Sequence, residues 1–238
     1  MRSQPDSTTI PFDSKWTSSS HSTFNLILTT ATIPASLNAY LLEHFPRLVR
    51  IASPNLHRLP RAVHTERVDT AGGNPLASIH KKLVDIFAEG SRRAVRTGGT
   101  ASDSNSQVIL FCNRANKAAE LGAYLESMGL TCLVMTGSSD GRRRGSNKHL
   151  EGFLVPKPGA GPNPIDPDAP RILITTSLLA RGLDFAPTVS HVLIADEPRN
   201  EVDFLHRAGR TGRAGRSGTV VVFGKGVARR GPKKVGFA

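Results

Sequence analysis

What most limits the fold of this chain is a repeated alternation of short, unbroken apolar runs with stretches of helical spacing. QVILFC (107–112), TCLVMTG (131–137), RILITTS (171–177), SHVLIAD (190–196) and TVVVF (219–223) are too short for buried helices and rich in β-branched residues, so each is predicted to be a strand. FNLILTT (24–30) and the alternating AVHTERV (62–68) are read the same way. Between them lie helical patterns. Pro34 opens PASLNAYLLEHF, and Leu76, Ile79, Leu83 and Ile86 mark a helix that is expected to end near Gly90. ANKAAELGAYLESMG is closed by Gly129, GRRRGSNKHLEGFL (141–154) reads as a basic helix, SLLARG as a short one, and EVDFLHRAG as another. Strands without polar alternation must be covered on both faces. The expected architecture is therefore α/β, a mostly parallel sheet with helices on both sides.

Such sheets bind ligands at the carboxyl ends of their strands. Residues 112–114, 136–137 and 175–184 all follow strands, so function is expected there. The polar stretch 91–106 is read as a loop within the sheet domain, and 155–170, with six prolines, as irregular. ASPNLHRLPR (52–61) has no periodicity and is the best boundary between an opening strand–helix unit and the rest.

The two cysteines, Cys112 and Cys132, form neither a disulfide framework nor a metal-ligand spacing, which fits buried thiols in a reducing compartment. No run of eighteen apolar residues exists to span a membrane, and MRSQPDSTTI lacks the apolar core of a secretion signal. The net charge is +12, and residues 201–238 carry nine Lys and Arg against two acidic side chains. This excess favours a polyanionic partner, most often nucleic acid. The last stretch, 224–238, is read as a disordered basic tail.

Within that region lies HRAGRTGRAGR (206–216), in which Arg207, Arg210, Arg213 and Arg216 recur every third residue among glycines. A surface turn tolerates one or two arginines. Four of them, with glycines that allow close backbone approach, fit phosphate recognition better. Arginine keeps its proton at neutral pH, so it also suits charge that develops during phosphoryl transfer.

HRAGRTGRAGRSG closely resembles the last signature motif of the DEAD-box RNA helicases. TTSLLARGLDF (175–185), VILFCNR (108–114) and TTATIP (29–34) are similar to three further motifs of that family, in the family's order, so the likeness runs from residue 24 to about 223. Three positions depart from the pattern: Thr30 replaces a serine, Thr136 a histidine and Ser177 an aspartate. The chain has no GxxxxGKS/T loop and no Asp-Glu-Ala-Asp. The resemblance therefore implies the second RecA-like domain of a helicase (62–223), preceded by the tail of the first (1–51) and a linker (52–61). It further implies a chain that is inactive alone, with ATP and Mg2+ bound mainly by the first domain.

Carried over residue by residue, the resemblance makes Arg210 and Arg213 arginine fingers toward the γ-phosphate. His206 and Arg207 would link that contact to motifs of the first domain. Gly182 and Asp184 would hold ATP, with Asp184 on the ribose. Thr30 and Thr32 would couple the two domains. Asn113, Arg114, Gly137, Arg144 and Thr176 would meet the RNA backbone; the alternative for Asn113 and Thr176 is a strand-end cap, and Arg144 could equally be part of a solvated helix face. ATIPASLNAYLLEHFP and ASPNLHRLPR are also similar to the fungal mitochondrial DEAD-box helicases of large-ribosomal-subunit assembly. That likeness implies a monomer in the mitochondrial matrix acting on ribosomal RNA. Two other classes compete: a DNA helicase or translocase of the same superfamily, and a non-catalytic RNA-binding module whose arginines only grip phosphates.

Overall fold

The computed structural model describes residues 27–30, 33, 35–51, 58–70, 73–97, 106–137, 148–156, 169–180 and 182–224. The chain divides into two compact units, Met1–Val49 and Arg50–Ala238. In the first unit, α1 (Ala35–His44) buries Leu41 and stacks the His44 ring on Tyr40, with centroids 4.1 Å apart. The strand expected over 24–30 is not formed across 27–30, where Ile27 is 83% exposed. A strand needs neighbours for its N–H and C=O groups, and no described strand pairs with this segment. Pro34 and residues 24–26 lie outside the described residues.

The second unit is built on six parallel strands. They are β1 (Val63–Asp69), β2 (Gln107–Cys112), β3 (Cys132–Met135), β4 (Ile172–Thr176), β5 (Val189–Ile194) and β6 (Gly218–Gly224), in the spatial order β1-β6-β5-β2-β4-β3. Every pairing is parallel, as the unbroken apolar runs require. At one edge, β1 has no fully buried residue. Side chains alternate between the two faces of the sheet. Val108, Leu110 and Cys112 of β2 join one core with Ile79, Leu83, Ile86, Leu121 and Leu125. Ile109 and Phe111 join the other, with Phe153, Leu179, Phe185 and Ala208.

The first core is covered by α2 (Pro75–Thr97) and α3 (Ala115–Ser127). The second is covered by short 3-10 segments at Lys148–Phe153 and Ser177–Ala180 and by α4 (Glu201–Ala208). Gly129 ends α3 as expected: its φ is +82°, and Leu130 N–H donates to Leu125 O at 2.9 Å. Gly90 does not end α2. It is absent from the positive-φ glycines, so the helix continues to Thr97, through part of the stretch expected to be a loop. The expected basic helix is 3-10 over Lys148–Phe153, and its earlier part lies outside the described residues. The tail 225–238 lies outside them as well.

The glycines of the arginine track have an internal reason. Gly212 has φ +67°, and a Cβ there would come within 2.2 Å of Val63 Cγ2, where β1 begins. Gly215 has φ +76° but open space around it. Gly212→Ala is expected to cost about 2–4 kcal/mol, combining left-handed strain with overpacking, and Gly215→Ala only about 1 kcal/mol. Urea unfolding of the two variants measures the difference, and equal costs would contradict the packing argument.

Candidate functional site at the carboxyl ends of the strands

The strand order sets β5, β2 and β4 side by side, so the residues following them share one edge of the sheet. These are Asp196, Asn113 and Ser177. Arg207, on α4, reaches into the group they form and is fully buried. Its Nε donates to Asp203 Oδ1 at 3.1 Å, and its Nη2 donates to Asp203 Oδ2 at 2.7 Å, Asn113 Oδ1 at 2.7 Å and Ser177 Oγ at 2.8 Å. Ser177 Oγ in turn donates to Asp203 Oδ1 at 3.1 Å. The guanidinium carbon sits 5.9 Å from the Phe111 ring centroid, and Nη1 has no hydrogen-bond partner. A buried charge is tolerated only when paired and hydrogen-bonded, and Asp203 provides the pairing.

The resemblance has Arg207 link toward another domain; within this domain its side chain is enclosed and binds Asn113, Ser177 and Asp203. Asn113 lies just past the end of β2. Its Nδ2 donates to Glu197 O at 3.0 Å, while its Oδ1 accepts from Arg207, so both polar ends are engaged inside the domain. Its backbone N–H donates to Asp196 Oδ2 at 2.8 Å, and Asp196 pairs with Lys117 of α3. Asp203 itself is fixed by the cap of its own helix: Asn200 Oδ1 accepts from Asp203 N–H at 2.8 Å. Sequence reasoning missed Asp203, Asp196 and Lys117. The available signal was that a buried arginine needs a carboxylate, and Asp203 lies one helical turn before Arg207.

A second cluster lies at the carboxyl end of α4. Arg210 donates from Nε to His206 O at 3.1 Å and from Nη1 to Leu183 O at 2.8 Å. Arg213 donates from Nε to Gly209 O at 3.0 Å and pairs through Nη1 with the carboxylate of Asp184. Burial, and then the Arg213 charge, pull the Arg210 guanidinium down to about 10, and Asp184 opposes them. It remains protonated at neutral pH. Asp184 is exposed, but its backbone is anchored: Val155 N–H donates to Asp184 O at 3.0 Å, beside an antiparallel bridge between Leu154 and Phe185. Gly182 takes φ +75° where this loop turns. The structure thus brings Arg210, Arg213, His206, Gly182 and Asp184 into one corner.

Arg114 is exposed at the Ncap position of α3. Thr176 is partly buried at the end of β4, and Gly137 follows β3, where a Cβ would stand 3.2 Å from Leu178 Cδ2. Thr30 belongs to the first unit. Thr32 and Arg144 lie outside the described residues. Among the described residues, no group of three or more His, Cys, Asp or Glu side chains converges to hold a metal ion.

Cys112 closes β2 and is buried in the core under α2 and α3. Burial, reinforced by Asp196, pushes its thiol up to about 12, against Lys117 and Arg207. Burial and Glu126 push Cys132 up to about 11. Both thiols stay protonated in the fold at a pH where the unfolded chain has begun to ionise. They therefore hold more protons folded than unfolded, and stability should fall as pH rises from about 9 toward 12. At pH 8, Ellman's reagent should react with neither cysteine except through unfolding. Rapid labelling of the native chain would contradict this environment.

Residues 92–215, just over half of the chain, match the family described as the helicase conserved C-terminal domain. The chain is 35% identical to the ATP-dependent RNA helicase MRH4, mitochondrial, of Cryptococcus neoformans var. neoformans serotype D (strain B-3501A), over 84% of this chain and 42% of that protein. It is 31% identical to the protein of the same name from Sclerotinia sclerotiorum, over 88% of this chain and 38% of that one. The chain thus spans about two fifths of these relatives' length. The fold is similar to S. cerevisiae Dbp5 bound to RNA and ADP BeF3, with a TM-score of 0.55 and 21% identity over 83% of this chain and 44% of that one. The chain belongs to the helicase conserved C-terminal domain family, and its α/β fold is RecA-like.

Proposed function

We propose that this chain is the C-terminal half of an ATP-dependent RNA helicase that couples ATP hydrolysis to RNA duplex unwinding or to remodelling of RNA–protein complexes. The observation that carries the reading is the corner where Arg210, Arg213 and Asp184 converge. Two guanidinium groups and one exposed carboxylate suit a ligand with an anionic end and a hydroxyl-bearing end, such as a nucleoside triphosphate. Arg210 and Arg213 would face the γ-phosphate, where their forks stabilise charge as the phosphoryl group transfers. Asp184 would accept hydrogen bonds from the ribose, with Gly182 shaping the loop that carries it. His206 stands in the same turn of α4.

Magnesium and the phosphate cradle would come from a preceding RecA-like domain. The described residues hold no cluster of three candidate metal ligands, and the sequence holds no P-loop. Thr30 and Thr32 would couple that domain to this one. Arg114, Gly137, Arg144 and Thr176 would meet the RNA backbone, with Asn113 and Arg207 holding the strand ends in position beneath them. The relatives named as mitochondrial RNA helicases support a mitochondrial place of action and an RNA substrate. A monomer in the matrix and a part in large-ribosomal-subunit assembly are the finer reading.

Arg→Lys keeps the charge and loses the fork. In a protein that joins this chain to a P-loop domain, Arg210→Lys or Arg213→Lys should lower RNA-stimulated ATP turnover by about 10³-fold or more while ATP binding largely survives. Arg216→Lys should leave turnover nearly intact. Steady-state hydrolysis measured beside nucleotide affinity tests this. Equal, mild effects from all three would reduce the track to an electrostatic grip.

A further inference from the structure

The amino ends of the strands carry a basic feature that the catalytic reading does not use. Gly90 of α2 lies beside Ser106, just before β2 begins, with the serine Oγ 3.7 Å from where a Cβ would stand. The helix nevertheless runs on to Thr97. Its buried positions, Ile79, Leu83 and Ile86, all precede Gly90, and Val95 beyond it is 83% exposed. The overshoot of seven residues projects about 10 Å past the sheet, at 1.5 Å per residue. Arg92, Arg93 and Arg96 on it are all exposed. At its root Arg171 lies over the Phe87 ring, 4.1 Å from the centroid. The nearest acid on the helix is Glu89, one turn back.

Packing does not account for this arrangement. Unpacked helix ends are marginal in water, and Arg96 is three and four residues from Arg93 and Arg92, spacings at which like charges repel. A cation in the last turn suits the helix dipole, but one would suffice. The exposed overshoot offers Val95 and no aromatic anchor. Arg92 Nε donates to Ala88 O at 3.3 Å within the helix, and the exposed guanidinium groups of the three arginines match phosphate oxygens.

We propose that this arm, Arg92, Arg93 and Arg96 with Arg171 at its root, is a second RNA-backbone site at the pole of the domain opposite the helicase motifs. The proposal rests on the RNA reading above. Six-residue β2 separates Ser106 from Asn113 by about 20 Å, so a strand gripped by the arm is not the one seated at the carboxyl edge, unless the RNA is long enough to reach both.

The test uses the whole 238-residue chain and fluorescence anisotropy with labelled oligouridylates, short and long, across a salt series. Replacing Arg92, Arg93 and Arg96 together by glutamine should reduce the slope of log affinity against log salt by about 2 and weaken binding to the long RNA by about tenfold or more. The short RNA should be affected less. Replacing the same three by lysine should preserve the slope, and circular dichroism should report the same helix content in all three proteins. An unchanged slope for the glutamine variant, with the parent chain still binding RNA, would overturn the arm and leave the helicase reading standing. It would also hand the arm to an acidic protein partner. Failure of the parent chain to bind RNA at all would overturn the RNA reading beneath it.

Discussion

The guanidinium of Arg207 is the constraint on which the site depends. It is fully buried at the junction of α4 with the ends of β2 and β4. An unpaired charge there would cost several kcal/mol. Asp203 neutralises it from one turn away, and Asn113 and Ser177 complete its shell from two different strand ends. Segments that the sequence singles out for function are therefore joined by hydrogen bonds to a single side chain. Strand order makes this possible, because β4 and β5 flank β2 and their loops emerge together.

Rigidity at Arg207 sets the position of the turn that leaves α4. The helix ends at Ala208, and Arg210 and Arg213 reach back to carbonyls near that end, those of His206 and Gly209. Gly212 then packs so closely on Val63 that no side chain fits. The two arginines project from a turn held on one side by a buried ion pair and on the other by the first strand. Asp184 pairs with Arg213 across the same corner. A nucleotide that engages both would have to exchange that ion pair for its own contacts.

Much of this is legible in the chain itself. Unbroken apolar runs require a doubly covered parallel sheet, and the segments after the strands mark the edge where polar groups converge. The spacing of the arginines does not reveal that they differ in kind. Arg207 and Arg210 look alike in HRAGR, yet the helical turn points one inward to Asp203 and leaves the other at the helix end. That distinction depends on which face of α4 meets the sheet. Gly90 fails as a helix stop for a related reason: glycine stops a helix only where the backbone turns left-handed, and its φ is not written in its neighbours. The glycines of the track suggest room for a ligand. At Gly212 the room is taken by Val63.

The central claim is that Arg207 couples α4 to the sheet through Asn113. A double-mutant cycle in urea, using Arg207→Met, Asn113→Ala and the pair, tests it most directly. The account predicts that the double variant loses less stability than the sum of the singles, with a coupling of at least about 1 kcal/mol between residues so distant in sequence. Losses that add to within about 0.5 kcal/mol would contradict it, and would mean that the buried arginine and the strand end are merely neighbours.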